Sequence, residues 1–131
     1  MSLIPESHKD LLEDKSKALG FIATTMADGS PQVSPVWFNW DGEFVYINST
    51  QGRVKEKNMR ARPQVAMTIM KLDSPYRYLL LRGKIIDVST EDAEAHIHAL
   101  SQKHTGTDWN IPEGQVRMKF KFKVEKVFKS G

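Results

Sequence analysis

Between Asn48 and Asn58 the chain reads Asn-Ser-Thr-Gln-Gly-Arg-Val-Lys-Glu-Lys-Asn. Two hydroxyls, Ser49 and Thr50, precede Gly52, where backbone can come close to a ligand, and Arg53, Lys55 and Lys57 follow within about two helical turns. A phosphate needs several donors together with positive charge, and the first turn of a helix supplies unpaired N–H groups at the positive end of a dipole. No Walker-type spacing accompanies these residues, so a solvated basic helix is an equal reading of the same stretch. Other chemistries find less support. The histidines His8, His96, His98 and His104 show no HExxH-type spacing, and His96 and His98 point to different sides of a helix, which argues against zinc and places all four at the surface. No glycine-flanked serine forms a nucleophile elbow, and a chain without cysteine has no thiolate, disulfide or sulfur-held metal. No residue is singled out as catalytic and none as a metal ligand.

A second group of interest is aromatic. Trp37, Phe38 and Trp40 follow Pro35, and Tyr76, Tyr78 and Trp109 come later. Such rings serve as core, as subunit contact or as the face against which a flat ring cofactor lies, and a pocket at a subunit interface would use them for all three.

The elements that must position these residues are legible from their periods. Ile4, Leu11 and Leu12, spaced by charged residues, predict a short amphipathic helix over 5–14. A strand over 19–26 ends at Asp28-Gly29, a second over 32–40 ends at Asp41-Gly42, and a third follows over 43–48, which reads as a three-stranded meander. A helix is expected over 53–61, stopped at Arg62-Pro63, then strands over 65–70 and 76–88. Ser89-Thr90-Glu91-Asp92 opens a helix that runs to His104 and is closed by Gly106. In the last strand, Val116, Met118, Phe120, Phe122 and Val124 alternate with Arg117, Lys119, Lys121, Lys123 and Glu125, so one face is buried and the other wet. Six strands and two or three helices, with hairpin connections, predict a mainly β protein whose antiparallel sheet curls into a barrel with helices across its open ends.

Composition sets the outer limits. The 131 residues, 40% hydrophobic and 27% charged, suit one globular domain over 1–131 and exclude disorder as the dominant state. Nineteen basic against sixteen acidic residues leave +3, a mild excess that permits an anionic ligand. Phe120 and Phe122 face away from Lys119, Lys121 and Lys123, which argues against a base-stacking surface for nucleic acid. Pro5, Glu6, Lys9 and Asp10 interrupt any signal-peptide core and no run reaches membrane-spanning length, so the expectation is a cytoplasmic protein without a membrane or nucleic-acid partner.

The motifs Gln32-Val-Ser-Pro-Val-Trp-Phe38, Ile47-Asn-Ser-Thr50, Gly52-Arg-Val-Lys-Glu-Lys-Asn58, Arg62-Pro-Gln-Val-Ala66, Tyr76-Arg-Tyr78 with Arg82-Gly83, and His104-Thr-Gly106 with Trp109 occur in an order and spacing that resemble a known family. The chain is similar, from about Leu11 to Val127, to the split β-barrel flavin and deazaflavin oxidoreductases related to pyridoxamine 5′-phosphate oxidase, and within them to the small branch that uses coenzyme F-420. The resemblance implies a six-stranded antiparallel split β-barrel and a homodimer with two cofactor sites at the subunit interface. It also implies that the strand holding Val36 and Trp37 lies against the ring system, while Ser49, Thr50, Arg53, Lys55 and Lys57 hold the phosphate, with Tyr78 and Trp109 completing the pocket. The implied activity is transfer of a hydride between reduced F-420 and a small unsaturated or planar substrate. FMN, which shares the tricyclic ring and ribityl phosphate, is the alternative cofactor, and a non-catalytic flavin- or haem-binding protein is the alternative outside enzymes. Nothing after Phe128 matches the C-terminal substrate-binding region of true pyridoxamine-phosphate oxidases, which argues against vitamin B6 oxidation.

Overall fold

A computed structural model of the chain describes residues 3–131. Its strands are β1 (Leu19–Thr25), β2 (Pro31–Val36), β3 (Phe38–Trp40), β4 (Val45–Thr50), β5 (Gln64–Met70), β6 (Tyr78–Ser89) and β7 (Arg117–Ser130). Two helices, α1 (Val54–Ala61) and α2 (Ala93–Thr105), cross between them. All strands join one antiparallel sheet in the order β2-β1-β5-β6-β7-β4-β3. This is the split-barrel class that the resemblance implies, with seven strands rather than six.

Both Asp-Gly pairs make hairpins. Asp28 Oδ1 accepts the Ser30 N–H at 2.9 Å and the Ser30 hydroxyl at 2.6 Å, and Gly29 takes φ +88°. The Asp41 carboxylate accepts the N–H groups of Glu43 and Phe44 and the Tyr46 hydroxyl. Burial, then this last bond, pushes the phenol up to about 12, and against the opposing effect of burial the accepted bonds hold the carboxyl below the usual range. The predicted meander is nevertheless wrong. The strand expected over 32–40 breaks at Trp37, and its halves β2 and β3 lie at opposite ends of the sheet order. A twisted sheet of this size curls until its edges approach, and the chain steps from one edge to the other through that single residue.

Period-2 burial gives the core. Phe38, Phe120 and Phe122 interdigitate with Ile22, Met67 and Leu81, each at most 1% exposed. On the outer face of β7 the ammonium groups of Lys119 and Lys121 lie 4.6 Å and 4.2 Å from the ring centroids of Tyr46 and Phe44. Arg117 departs from the alternation: expected on the wet face, it is buried.

The N-terminal segment also differs from expectation. Instead of one α-helix over 5–14 it forms two 3-10 turns, Glu6–Leu12 and Asp14–Ser16, which press Leu11 and Leu12 into the core. His8, expected at the surface, is buried there, its Nε2–H donating to the Ser130 carbonyl at 2.8 Å while Nδ1 accepts the Ser7 hydroxyl at 2.8 Å. Arg77 forks onto Asp10 with bonds of 3.0 and 2.5 Å and holds that carboxyl below the usual range.

A bulge bends the long β6–β7 ladder at Arg82/Gly83. A Cβ on Gly83 would stand 2.0 Å from the Lys123 carbonyl oxygen, a backbone atom that can yield only if the ladder shifts. Gly83→Ala is therefore expected to cost about 1–3 kcal/mol or more, read as a lower urea midpoint at unchanged slope. Unaltered stability would show that the ladder relaxes freely at the bulge.

Candidate functional site

The end of β4 and the loop after it build one wall of a cavity. Asn48, Ser49 and Thr50 close the strand, and Gly52, at φ +94°, turns the chain into α1. Three bonds fix the turn: Gln51 N–H to the Val116 carbonyl at 2.9 Å, Arg53 N–H to the Thr50 carbonyl at 3.2 Å, and Gly52 N–H to Glu56 Oε1 at 2.7 Å. The fully buried Glu56 carboxylate also accepts from Arg60 Nε, so its charge is spent within the helix rather than on the cavity.

That wall, together with Pro35, Val36 and Trp37 from the β2–β3 crossing, Ile97 and Leu100 from α2, Trp109 from the loop before β7, and Arg117, encloses ≈ 390 Å³. Volume and lining are those of a small-molecule site: apolar and aromatic on one side, with convergent polar groups on the other. Trp37 stacks on His104 with centroids 5.1 Å apart and meets Trp109 edge-on at 5.5 Å, which holds both indoles in place.

The electrostatics are one-sided. Arg53, Lys55 and Arg117 line the cavity and no carboxylate does. Burial, then repulsion from Arg53 and Arg117, lowers the Lys55 pKa below that of an ordinary lysine, and burial followed by Arg53 lowers that of Arg117. Ser49 Oγ lies in the same wall, buried, with no hydrogen-bond partner. Arg53 is exposed to solvent, but Lys55 is half-buried and Arg117 buried, neither with a carboxylate partner among the described residues, and together with the buried orphan hydroxyl they are requirements that one oxyanion would satisfy. The donor set therefore fits the phosphate end of a flavin-type cofactor, and the indoles beside it fit a flat ring.

Seven of the nine residues singled out from the sequence lie around this cavity: Val36, Trp37, Ser49, Thr50, Arg53, Lys55 and Trp109. The other two lie elsewhere. Lys57 is exposed on α1 outside the lining, and Tyr78 sits at the start of β6, its ring 6.4 Å from that of Phe128. Two polar lining groups were not singled out from the sequence: Arg117 reads as one more basic residue on a wet face, and Asn48, though inside the Ile47–Thr50 motif, carries no role there.

Behind Asn48 stands His96, another histidine expected at the surface and found buried. Asn48 Nδ2 donates to the Ala93 carbonyl at 2.8 Å and to His96 Nδ1 at 3.1 Å, and His96 Nε2–H donates to Asn39 Oδ1 at 2.9 Å. Asp92, the residue that precedes α2, makes no side-chain cap bond and pairs with Lys119 at 2.8 Å, while the Ser89 hydroxyl accepts the Glu91 N–H at 3.1 Å. Among the described residues no cluster of His, Asp or Glu is arranged to hold a metal ion, and no helix is long and apolar enough to cross a membrane.

The pyridoxamine 5′-phosphate oxidase family profile matches residues 4–129, and the chain belongs to that family. Among solved structures it resembles an F-420 reductase, at 32% identity over 95% of this chain and 98% of that one, with a TM-score of 0.84. The HupZ protein of Group A Streptococcus (19% identity, 96% and 93% coverage, TM-score 0.67) shares the fold. So does a conserved hypothetical protein from Mycobacterium tuberculosis (17%, 98% and 86%, TM-score 0.72). No curated protein sequence matches the chain.

Burial holds His96 neutral, lowering its pKa from 6.5 to about 4, with the nearby Lys119 charge adding to the effect. The unfolded chain therefore binds more protons than the folded one between these values, and stability falls as pH drops from 6.5 towards 4 by up to roughly 3 kcal/mol. Urea unfolding across that window is expected to show this slope in the wild type and a shallower one in His96→Gln, the remainder belonging to His104, whose pKa burial also lowers, and near pH 4 to carboxyls such as Asp10 and Asp92 that the fold holds below their ordinary range. Equal slopes would remove His96 from the account.

Proposed function

We propose that the chain is an oxidoreductase that binds F-420 in the cavity and passes a hydride between the reduced cofactor and a small unsaturated or planar substrate. The observation that carries this reading is the uncompensated cluster of Arg53, Lys55 and Arg117 around the orphan Ser49 hydroxyl, next to the Trp37 and Trp109 rings. Full-length similarity to an F-420 reductase supports the deazaflavin over other ring cofactors. The cofactor supplies the hydride chemistry. The protein supplies the rest: Ser49, Thr50, Arg53 and Lys55 neutralise and hold the phosphate, Val36 and Trp37 shape the ring wall, and the apolar side formed by Ile97, Leu100 and Trp109 keeps water from the reacting face. No acid–base pair lines the cavity, which suits a transfer in which placement is the main contribution.

The same reading makes the protein a homodimer whose partner helps close each site. Val54, Trp109 and Val116 are 45%, 40% and 41% exposed, and each is either part of the lining or next in sequence to a lining residue. Large apolar side chains exposed at the rim of a pocket favour a covering surface, and a second copy supplies one of matching symmetry.

A fluorescence titration with F-420, and separately with FMN, at two salt concentrations tests the assignment. Micromolar or tighter F-420 binding with weaker FMN binding is expected, together with the mass of a dimer in solution. Lys55→Ala should weaken F-420 binding by about 1.5–3 kcal/mol, the worth of a hydrogen bond to a charged group. Preference for FMN would move the protein to the flavin branch, tight binding without turnover would make it a carrier, and binding of neither ring would overturn the proposal.

A further inference from the structure

The surroundings of Arg117 account for only part of its guanidinium. The residue is 8% exposed. Its Nε–H donates to Asn48 Oδ1 at 2.8 Å, and Nη1 donates to Thr50 Oγ1 at 2.8 Å and to Gln115 Oε1 at 3.1 Å. Nη2, with two more N–H groups, finds no acceptor among the described residues. All three acceptors are neutral, so the side chain is oriented without being neutralised. Nη2 is not among the buried atoms that lack a partner, so its free edge opens on the cavity, where water or a ligand oxygen can complete it.

The orientation is fixed from behind. The Ala93 carbonyl can only accept, so the Asn48 amide must present Nδ2 to it and Oδ1 to Arg117. His96 Nδ1 accepts from the same Nδ2, which leaves the imidazole proton on Nε2, facing Asn39 Oδ1. A run of neutral hydrogen bonds thus crosses β3, α2 and β4 and ends on one unneutralised cation in the cavity wall, where the unpartnered Ser49 hydroxyl also lies. Of the three partners of Arg117 only Asn48 is buried, while Thr50 and Gln115 are half-buried groups at the edge of the cavity.

Resting on the phosphate-binding reading above, we propose that Arg117 is a further specificity-determining contact of the anion subsite. Its free Nη2 edge takes an oxygen of the ligand's phosphoryl group, and Asn48 and His96 are the positioning residues that aim it. The proposal goes beyond the basic segment 49–57, because it adds a contact from the last strand and makes recognition of phosphate, rather than of the ring, depend on a side-chain network far away in sequence.

FMN and riboflavin differ only in the phosphoryl group, so the ratio of their dissociation constants reads the anion subsite, and the change of that ratio in a variant reads the substituted side chain. Arg117→Gln is expected to raise the FMN Kd about 10- to 100-fold, the range for a charge-assisted hydrogen bond, and to leave riboflavin within about threefold. Arg117→Lys keeps the charge without the fork and should recover part of the ratio. Asn48→Ala, with Arg117 intact but no longer aimed, should lower the ratio in the same sense by a smaller factor. A purely structural role would weaken both ligands equally, and either that result or an unchanged ratio in Arg117→Gln overturns the proposal. Thermal protection by inorganic pyrophosphate separates this proposal from the functional one. Protection of the wild type that is lost in Arg117→Gln, without binding of FMN or F-420, would keep the anion contact and overturn the oxidoreductase reading. Neither protection nor ring binding would overturn both.

Discussion

The sheet has to close on itself, and it does so through one residue. Because β2 and β3 are consecutive in the chain yet occupy the two ends of the strand order, Trp37 joins the two edges of a curled seven-stranded sheet. A long exposed edge would be a site for unwanted pairing, and closure removes much of it. The crossing also puts Pro35, Val36 and Trp37 beside the end of β4, so the apolar and polar walls of the cavity meet because the barrel shuts there. The His104 and Trp109 rings packed against Trp37 make the seam a three-ring assembly rather than a bare loop.

Against that closure the cavity gathers charge that folding alone does not need. The lowered pKa values of Lys55 and Arg117 express lost hydration first and repulsion among Arg53, Lys55 and Arg117 second. The fold meets the cost locally. Asn48 holds Arg117 with a neutral oxygen, while Glu56, paired with Arg60 and the Gly52 N–H, lends the cavity no negative charge. The result is a rigid donor array whose electrostatic energy falls when an anion enters, the arrangement expected of a preorganised binding site.

Local signals in the sequence were read well where one residue type answers one local need. The Asp-Gly hairpins, the Gly106 cap and the alternating phenylalanines of β7 are of this kind, and so are the Ser-Thr and Arg-x-Lys groups at the cavity. What escaped depended on long-range placement. The break at Trp37 leaves no mark on the alternation of 32–40, since Val36 and Phe38 are both buried as one strand would require. His8 and His96 look like surface residues until Ser130, Asn48 and Asn39, distant in sequence, arrive to satisfy them. Arg117 sits in a row of basic residues, and only the strand register that places Thr50 opposite it turns it inward. Tyr78 and Lys57 show the converse: both belong to the motifs, yet neither lies in the lining that this chain forms.

The hydrogen bonding is unevenly distributed between the walls of the cavity and the segment over them. Side chains from β3, α2, β4 and β7 are tied in one continuous network. By contrast, the stretch 107–115 is held by a few bonds, such as the Trp109 N–H to His98 Nδ1 at 3.2 Å and the Gln115 N–H to the Pro112 carbonyl at 3.1 Å. Only Gln115, whose Oε1 accepts from Arg117, ties this stretch to the charged wall, so substitutions in 107–114 can reshape the space beside Trp109 without removing a bond of Arg117 or a cation of the lining.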